Sequence, residues 1–356
     1  MEDKKKSIAV FVKNLTSGGA EKQAVLLAKA LQDEYNVHFI VFNALKVHQK
    51  YLDMLANTDV AIKLFKGGHV KRFIDFCRYL RQHKIHVIFS YLTAANLYAC
   101  MAGLVTGVKV CTGLRNAYYT RGKRIVNIVL TNLFAKLTVV NCYSGKVAFS
   151  KQGFKPSKLH VIPNCFECIS PYVEKPMHDV HTIISVGRFN WQKDYDTAIK
   201  AISIIKQKCP NIVYRCVGYG EQEQHIRSYV KQCGIDDVVE FHINPDNIPE
   251  LLDTSDIYLS TSLFEGTSNS IMEALNANLP VVCTNVGDNS YLVHDGENGY
   301  LAKTGDYDMI AKLLLNLIEN YQKRLDMGRI SKEILMQDYS MMKFKEKYEE
   351  ILNNQL

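Results

Sequence analysis

Glu265 and Glu273 stand in the segment Phe264-Glu265-Gly266-Thr267-Ser268-Asn269-Ser270-Ile271-Met272-Glu273-Ala274-Leu275. The segment follows an apolar run, Ile257–Ser260, that reads as a strand, and it opens a helix. Ser268, Asn269 and Ser270 suit an N-cap and a first turn, where exposed amides carry partial positive charge. Glu265 then sits in the loop and Glu273 about one turn into the helix, with the amide-rich turn between them. Two carboxylates flanking an anion-binding turn suit hydroxyl groups beside a phosphate, as in a nucleotide sugar. Two glutamates at this spacing are common by chance. The position after a strand and before a helix is what gives the pair weight.

Cations that match this chemistry occur at another strand end. Val186-Gly187-Arg188-Phe189 closes a predicted strand, and Lys193 follows. Arg as a fork and Lys as a point charge can bracket a diphosphate; a pair of solvated surface cations is the plain alternative. Ser17-Gly18-Gly19-Ala20-Glu21 lies between the first strand and the first helix. Two glycines there let backbone amides face an anion at a helix N-terminus, although an ordinary βα turn would read the same. The G-x-G-x-x-G fingerprint is absent, which counts against NAD or FAD. Asp194-Tyr195-Asp196 and Asp306-Tyr307-Asp308 match a D-x-D metal pattern, but each stands where a helix begins and reads as a cap. Cys165-Phe166-Glu167-Cys168 is a lone C-x-x-C with no second pair to complete a zinc site. Gly218-Tyr219-Gly220 reads as a tight βα turn.

The elements that must position these groups alternate. Predicted strands at Ser7–Lys13, Val37–Phe42, Val87–Ser90, Val108–Thr112 and Thr138–Asn141 are separated by helices at Ala20–Asp33, Lys71–His83, Ala94–Val105, Lys123–Ala135 and Ser144–Lys151. The pattern breaks between Pro163 and His181. It restarts with strands at Thr182–Gly187, Ile212–Val217, Val238–Phe241, Ile257–Ser260 and Val281–Thr284. Helices are expected at Asp196–Lys208, Glu221–Cys233, Ile248–Leu252, Asn269–Ala277, Tyr307–Glu319 and Met341–Leu352. Continuous apolar strands between helices point to parallel sheets covered on both faces. The expected fold class is α/β, with two doubly wound domains facing each other across a cleft. Ligands in such sheets bind beyond the carboxyl ends of the strands. The boundaries read as a domain over 1–164, a linker over 165–181, a second domain over 182–338 and a C-terminal helix over 339–356.

The 356 residues, 47% hydrophobic and 22% charged, can bury two ordinary cores, which excludes disordered and fibrous classes. Ten cysteines at irregular spacing suit reduced cytosolic thiols. The net charge of +7 hides a split: residues 1–170 hold 25 Lys and Arg against 9 Asp and Glu, and the rest holds 18 against 27. The basic half could face nucleic acid, an anionic membrane or a phosphorylated substrate. No signal peptide is visible at the N-terminus. Ile85–Val108 carries no Asp, Glu, Lys or Arg, and it parses as a buried strand, a turn and a buried helix rather than a transmembrane span. Arg121, Lys123 and Arg124 precede an apolar helical face of Ile125, Val126, Val129, Leu130, Leu133, Phe134 and Leu137, with Lys136 near its end. Two readings stand: a core-facing helix with cationic flanks, or a peripheral contact with an anionic membrane.

Gly18-Gly19-Ala20-Glu21, Val186-Gly187-Arg188-Phe189 with Lys193, Glu265 to Glu273, and Pro280-Val281-Val282 with Gly287 together resemble the family-four retaining glycosyltransferases of the GT-B fold. The stretch Glu265–Asn298 looks especially like bacterial members that build surface polysaccharides. The resemblance covers nearly the whole chain. It implies two Rossmann-like domains, the first binding the acceptor and the second the nucleotide sugar, with a C-terminal helix crossing back onto the first. It implies a hexosyltransferase-type transfer from a nucleoside-diphosphate sugar to a saccharide or lipid-linked acceptor, with retention, no cofactor and no required metal. By the same resemblance Arg188 and Lys193 would neutralise the leaving diphosphate, and Glu265 would bond donor-sugar hydroxyls. Glu273 would bond the ribose. Gly18, Gly19, Thr267, Ser268 and Asn269 would serve donor binding. Many relatives place a His in the first half where this chain reads Thr112-Gly113-Leu114-Arg115-Asn116, so Arg115 is the acceptor-side candidate. A lipid-diphosphate acceptor would explain the basic half and implies a cytoplasmic enzyme, peripheral on the inner face of the membrane. The alternatives are a nucleotide-sugar epimerase of the same fold, for which no acid/base pair can be named, and a basic nucleic-acid-binding protein, for which no recognition motif appears.

Overall fold

The computed structural model describes residues 5–16, 18–115 and 119–356; Ser17 and Asn116, both named above, lie outside them. The chain divides into two compact units. One takes the chain as far as Glu167 together with Met341–Leu356, and the other is Cys168–Ser340.

The first unit holds a seven-stranded sheet of β1 (Ser7–Val12), β2 (Asn36–Val41), β3 (Ala61–Leu64), β4 (Val87–Tyr91), β5 (Lys109–Leu114), β6 (Leu137–Val140) and β7 (Leu159–Val161). Its spatial order is β3-β2-β1-β4-β5-β6-β7, with every pairing parallel. The strand runs are apolar throughout because helices cover both faces. On one face, Leu26, Leu27 and Leu31 of the Gly19–Leu31 helix share a core with Phe344, Tyr348 and Ile351 of the Met341–Gln355 helix. On the other, Phe11, Phe42 and Phe76 pack with Leu80, Ala95 and Ala99 beneath the His69–Gln82 and Thr93–Thr106 helices. The C-terminal helix thus belongs to the first unit, as expected. Tyr348 sits edge-on to Phe89, and its hydroxyl is 3.3 Å from that of Tyr91.

Two expectations fail in the outer helical layer of this unit. The Thr93–Thr106 helix is not buried. It turns its small residues Ala95, Ala99, Cys100 and Ala102 to the sheet and leaves Leu97, Met101, Leu104 and Val105 exposed. Small inward residues let a helix lie close to a sheet, and the larger residues at helical spacing then face away. The next helix, Arg121–Val129 continuing as a π-helical turn over Leu130–Phe134, buries Leu130 but exposes Ile125, Val126, Val129, Leu133 and Phe134. The reading of that face as core-facing is therefore overturned. Leu137, placed on the same face, belongs to β6 and is buried there.

The second unit holds β8 (His181–Val186), β9 (Ile212–Gly218), β10 (Val239–Ile243), β11 (Ile257–Ser260), β12 (Val281–Thr284) and β13 (Gly299–Ala302). They lie in the parallel order β10-β9-β8-β11-β12-β13. Ile199, Ile202 and Ile205 of the Tyr195–Lys208 helix and Ile310, Leu314 and Leu317 of the Tyr307–Ile318 helix fill one core. The chain order reverses between β8 and β11, so a crevice opens beyond their carboxyl ends. No described helix is long and apolar enough to cross a membrane.

Candidate active site

The reversal point of the second sheet gathers most of the residues singled out above. Leaving β8, the chain passes Gly187 and the exposed Arg188, then makes a single 3-10 turn, Trp191–Lys193. Leaving β11, it runs through Thr261–Glu265 to the helix Asn269–Asn276. The two loops are sewn together. Leu263 N donates to Gln192 O at 2.8 Å, and Gln192 Nε2 donates to Phe264 O at 2.8 Å. The Thr261 hydroxyl donates to the carbonyls of Lys193 and Asp194.

These bonds fix Lys193 against Glu265. Nζ stands 2.6 Å from Oε1, and the same oxygen accepts from the Ser262 hydroxyl at 2.7 Å. Both ionic side chains are largely shielded, at 17% and 10% exposure. Ser262 is in turn held by Thr284 at the end of β12, whose hydroxyl donates to Ser262 O at 2.6 Å. Gly287 packs on the backbone of Glu265 so closely that a Cβ would overlap its carbonyl, and its φ of +58° also requires glycine. The carbonyl of Arg188 accepts from Asn190 N at 2.9 Å, while its exposed guanidinium makes no ion pair or side-chain hydrogen bond among the described residues. Trp191 is 60% exposed and lies 5.1 Å from Phe264, ring to ring.

Ser268 caps the Asn269–Asn276 helix, accepting from Ile271 N at 3.4 Å, and its hydroxyl is 3.2 Å from that of Ser270. The Ser268 side chain is thus spent on the cap, and Thr267 is buried, so the turn presents backbone amides first. Glu273 lies on this helix. It and Glu265 both act on one buried phenol, Tyr258. Burial pushes the Tyr258 hydroxyl up, a hydrogen bond from Ser270 opposes this, and the charges of Glu273 and Glu265 add to it. That hydroxyl donates to Val186 O at 3.2 Å, so Tyr258 of β11 reaches the last residue of β8. Ser262, Thr284, Gln192 and Tyr258 were not singled out from the sequence. The only local signal for the first two is a hydroxyl residue just past or closing a strand.

The first unit holds the remaining candidates. Gly18 is the N-cap of the Gly19–Leu31 helix, and a Cβ there would collide with the Glu21 carboxylate, which folds back over it. Thr16 donates to that carboxylate at 2.8 Å. The glycine turn is therefore faced by the chain's own acid. Arg115, just past β5, is buried. Its guanidinium lies 4.5 Å from the Tyr91 ring centroid, and Nη1 donates to Asn164 Oδ1 at 3.1 Å. Its charge also bears on the buried Tyr348 hydroxyl of the C-terminal helix, and its Nε has no partner among the described residues. Asp306 accepts from Met309 N and caps its helix, whereas Asp194 accepts from the Thr197 hydroxyl.

Comparison with known proteins places this arrangement. Residues 17–168 match the model of Glycosyltransferase Family 4, and residues 173–334 match that of glycosyl transferases group 1. An uncharacterized glycosyltransferase of Haemophilus influenzae is 26% identical over 359 residues, spanning 98% of this chain and 100% of that protein. A Campylobacter jejuni α-1,4-N-acetyl-D-galactosaminyltransferase acting on a diphospho-undecaprenol-linked saccharide is 24% identical, spanning 89% and 91%. Among solved structures, Anabaena HepE in complex with UDP has a TM-score of 0.83 at 20% identity, covering 98% of this chain and 99% of that one. The two parallel-sheet domains have the GT-B fold, and the matched models and relatives make the chain a glycosyltransferase. Within that class, the two matches make the chain a family-four-like glycosyltransferase.

Proposed function

We propose that this glycosyltransferase moves a hexose-type sugar, with retention, from a nucleoside-diphosphate sugar to a saccharide or lipid-diphosphate-linked acceptor in surface-glycan assembly. The observation that carries the reading is the junction of β8 and β11. There the Lys193–Glu265 pair, the exposed Arg188 and the N-terminus of the Asn269–Asn276 helix follow the ends of neighbouring strands, which supports the reading. Arg188, Lys193 and the turn amides stabilise the departing diphosphate, the charge that grows as the glycosidic bond breaks. Glu265 orients the transferred sugar, and its pairing with Lys193 spares an anionic donor the repulsion of a bare carboxylate. Glu273 holds the ribose. The acceptor, taken by the first unit, attacks from the leaving-group face, and a donor phosphate oxygen receives its proton. No cofactor or metal is required in this scheme.

The naming of relatives that act on lipid-linked saccharides supports a lipid-linked acceptor. The basic first half supports peripheral contact with an anionic membrane on its cytoplasmic face. The test is a thermal-shift screen of UDP, GDP and ADP with their common sugars, since a specific ligand stabilises by mass action. NMR of the product from the best donor then reads the anomeric configuration. An inverted product rejects retention, and stabilisation by no nucleotide rejects the reading as a whole.

A further inference from the structure

The hydroxyls around the ends of β8, β11 and β12 are not all spent alike. Ser185 Oγ donates to Leu259 O at 2.7 Å, Thr261 Oγ1 to Asp194 O at 2.8 Å and Thr284 Oγ1 to Ser262 O at 2.6 Å. Each closes on a backbone carbonyl, the ordinary partner of a buried hydroxyl. Ser262 is fully buried too, yet its hydroxyl goes to the Glu265 carboxylate at 2.7 Å. It also lies 3.4 Å from the Ser260 hydroxyl. The oxygen that Ser262 meets, Oε1, is the one that takes Lys193 Nζ. A carboxylate oxygen has about two lone-pair positions, so these two donors fill it. Oε2 makes no hydrogen bond among the described residues. Ser262 is itself held in place. Its carbonyl takes the Thr284 hydroxyl, and Thr284 O accepts from Asn289 Nδ2 and from Val286 N, both at 2.9 Å. Thr284 and Asn289 are fully buried, and the turn between them carries Gly287 onto the Glu265 carbonyl. The end of β12 thus sets the Glu265 backbone through Gly287 and its side chain through Thr284 and Ser262.

We infer that Ser262, seated by Thr284, is a positioning residue for the transferred sugar: it pins Glu265 Oε1, so that Oε2 is the oxygen offered to the sugar hydroxyls. The inference rests on the assignment of Glu265 to the sugar under the proposed function. Lys193 cannot do this alone. An ammonium is a point charge on a flexible stem and can follow either oxygen, while the terminal torsion of a glutamate is broad and roughly two-fold. A serine hydroxyl reaches only a short way from a fixed backbone. The difference matters most when a donor arrives, because the diphosphate draws on Lys193 and Ser262 then keeps Oε1 in place. A carboxylate whose plane is held aims one oxygen at the sugar as the glycosidic bond breaks, so losing the hold is felt in turnover more than in ground-state affinity. An oxygen that can only accept also selects its partner. The matching sugar presents a neutral hydroxyl there, and a carboxylate or phosphate in that place is repelled.

The test takes the full chain with radiolabelled UDP-glucose, UDP-N-acetylgalactosamine, GDP-mannose and ADP-glucose, each beside its nucleoside diphosphate, and uses water as the acceptor. Ser262→Ala should lower donor hydrolysis at saturation by about tenfold, the size of one charge-assisted hydrogen bond. Thr284→Val should lower it by a smaller factor, about threefold, and Thr284→Ser, which keeps the hydroxyl, should restore it. Calorimetric affinity for the nucleoside diphosphate should stay within about twofold of wild type in all three, because the lost contact serves the sugar. In a Glu265→Ala background, adding Ser262→Ala should change hydrolysis by less than about twofold, since no carboxylate remains to be aimed. Circular dichroism should match wild type in every variant. Wild-type hydrolysis by Ser262→Ala overturns the inference. So does an equal loss with and without the Glu265 carboxylate, or a fall in nucleoside-diphosphate affinity that matches the fall in rate; either makes Ser262 a strut of the loop. A wild type that binds none of the four donors and no nucleoside diphosphate rejects the transferase assignment, and the role of Ser262 with it. Donors that bind and hydrolyse in the wild type but ignore Ser262→Ala reject the positioning role alone.

Discussion

Lys193 and Glu265 leave different strands of the second sheet and meet at 2.6 Å where its chain order reverses. Under the proposed assignment, the lysine that would meet the donor diphosphate is held by the carboxylate that would meet the sugar. Donor binding would then trade part of one charge contact for another without leaving either ion bare.

Glu265→Gln should leave affinity for a nucleoside diphosphate intact or slightly higher, because Lys193 is released to the phosphates. Turnover should fall. A lost charge-assisted hydrogen bond is worth roughly 1.5–3 kcal/mol, or about ten- to hundredfold in kcat. Calorimetry and donor-saturation kinetics check both halves, with the exposed Trp191 next to this loop as a fluorescence reporter. Unchanged kcat would reduce the pair to a structural ion pair.

Glu273→Gln should behave differently. A ribose contact that is alike in ground and transition states is lost from binding, so the donor KM should rise by about tenfold or more with kcat little changed. A variant that loses kcat at constant KM contradicts the ribose assignment.

Nucleoside-diphosphate affinity and transfer in EDTA should equal those in Mg²⁺, since Arg188, Lys193 and the helix-end amides are assigned the diphosphate charge. Loss of both in EDTA, restored by a divalent ion, would falsify the metal-free scheme.

Arg115→Met should destabilise the protein by about 2–3 kcal/mol, read as a lower melting temperature. It strips the guanidinium from Tyr91 and Asn164. Arg115→Lys should restore little, because a lysine offers neither the planar stack nor the fork. A large loss of turnover with unchanged melting would instead place Arg115 at the acceptor.

His38 provides a pH test. Burial, with a smaller push from His83, lowers its pKa to about 4. Its ring packs 4.8 Å from that of His83, and Nδ1 is 2.8 Å from the Tyr79 hydroxyl. The folded pKa lies below the unfolded value, so the folded state resists protonation. The stability this neutral ring contributes is present above about pH 6.5 and drains as pH falls toward 4. Relative to His38→Gln, the wild type should lose about 2 kcal/mol between pH 7 and 4.5 in denaturant melts. A pH-independent difference between the two would place the titration elsewhere.

What the sequence revealed follows from how local each signal is. The Glu265–Glu273 segment was legible because its strand, its Ser268 cap and its helix are consecutive in the chain. Ser262 and Thr284 were not, because their role exists only once β11 and β12 lie side by side. The strands β3, β7 and β13 are three or four residues long, two of them closing the edges of the first sheet and one an edge of the second, and none carries a long apolar run. The Tyr321–Asp338 helix, the longest in the chain, escaped notice because its inward face includes Arg324 and Lys332. Lys332 instead donates to Ser170 and to Asn276, contacts that no periodicity announces. The Thr93–Thr106 helix was misread for the opposite reason. It carries no charge on any side, and composition alone does not say which side meets the sheet.

The helix Met341–Gln355 packs on the Gly19–Leu31 helix, so the first unit is assembled from both ends of the chain. During synthesis, the seven-stranded sheet leaves the ribosome long before the segment that covers Leu26, Leu27 and Tyr91. The whole second unit is made in between. Until then one face of the first core stays open to water, a transiently sticky surface of the kind chaperones hold. The second unit, whose residues are continuous from Cys168 to Ser340, carries no such delay. In a nascent chain the second unit can therefore mature before the unit begun first.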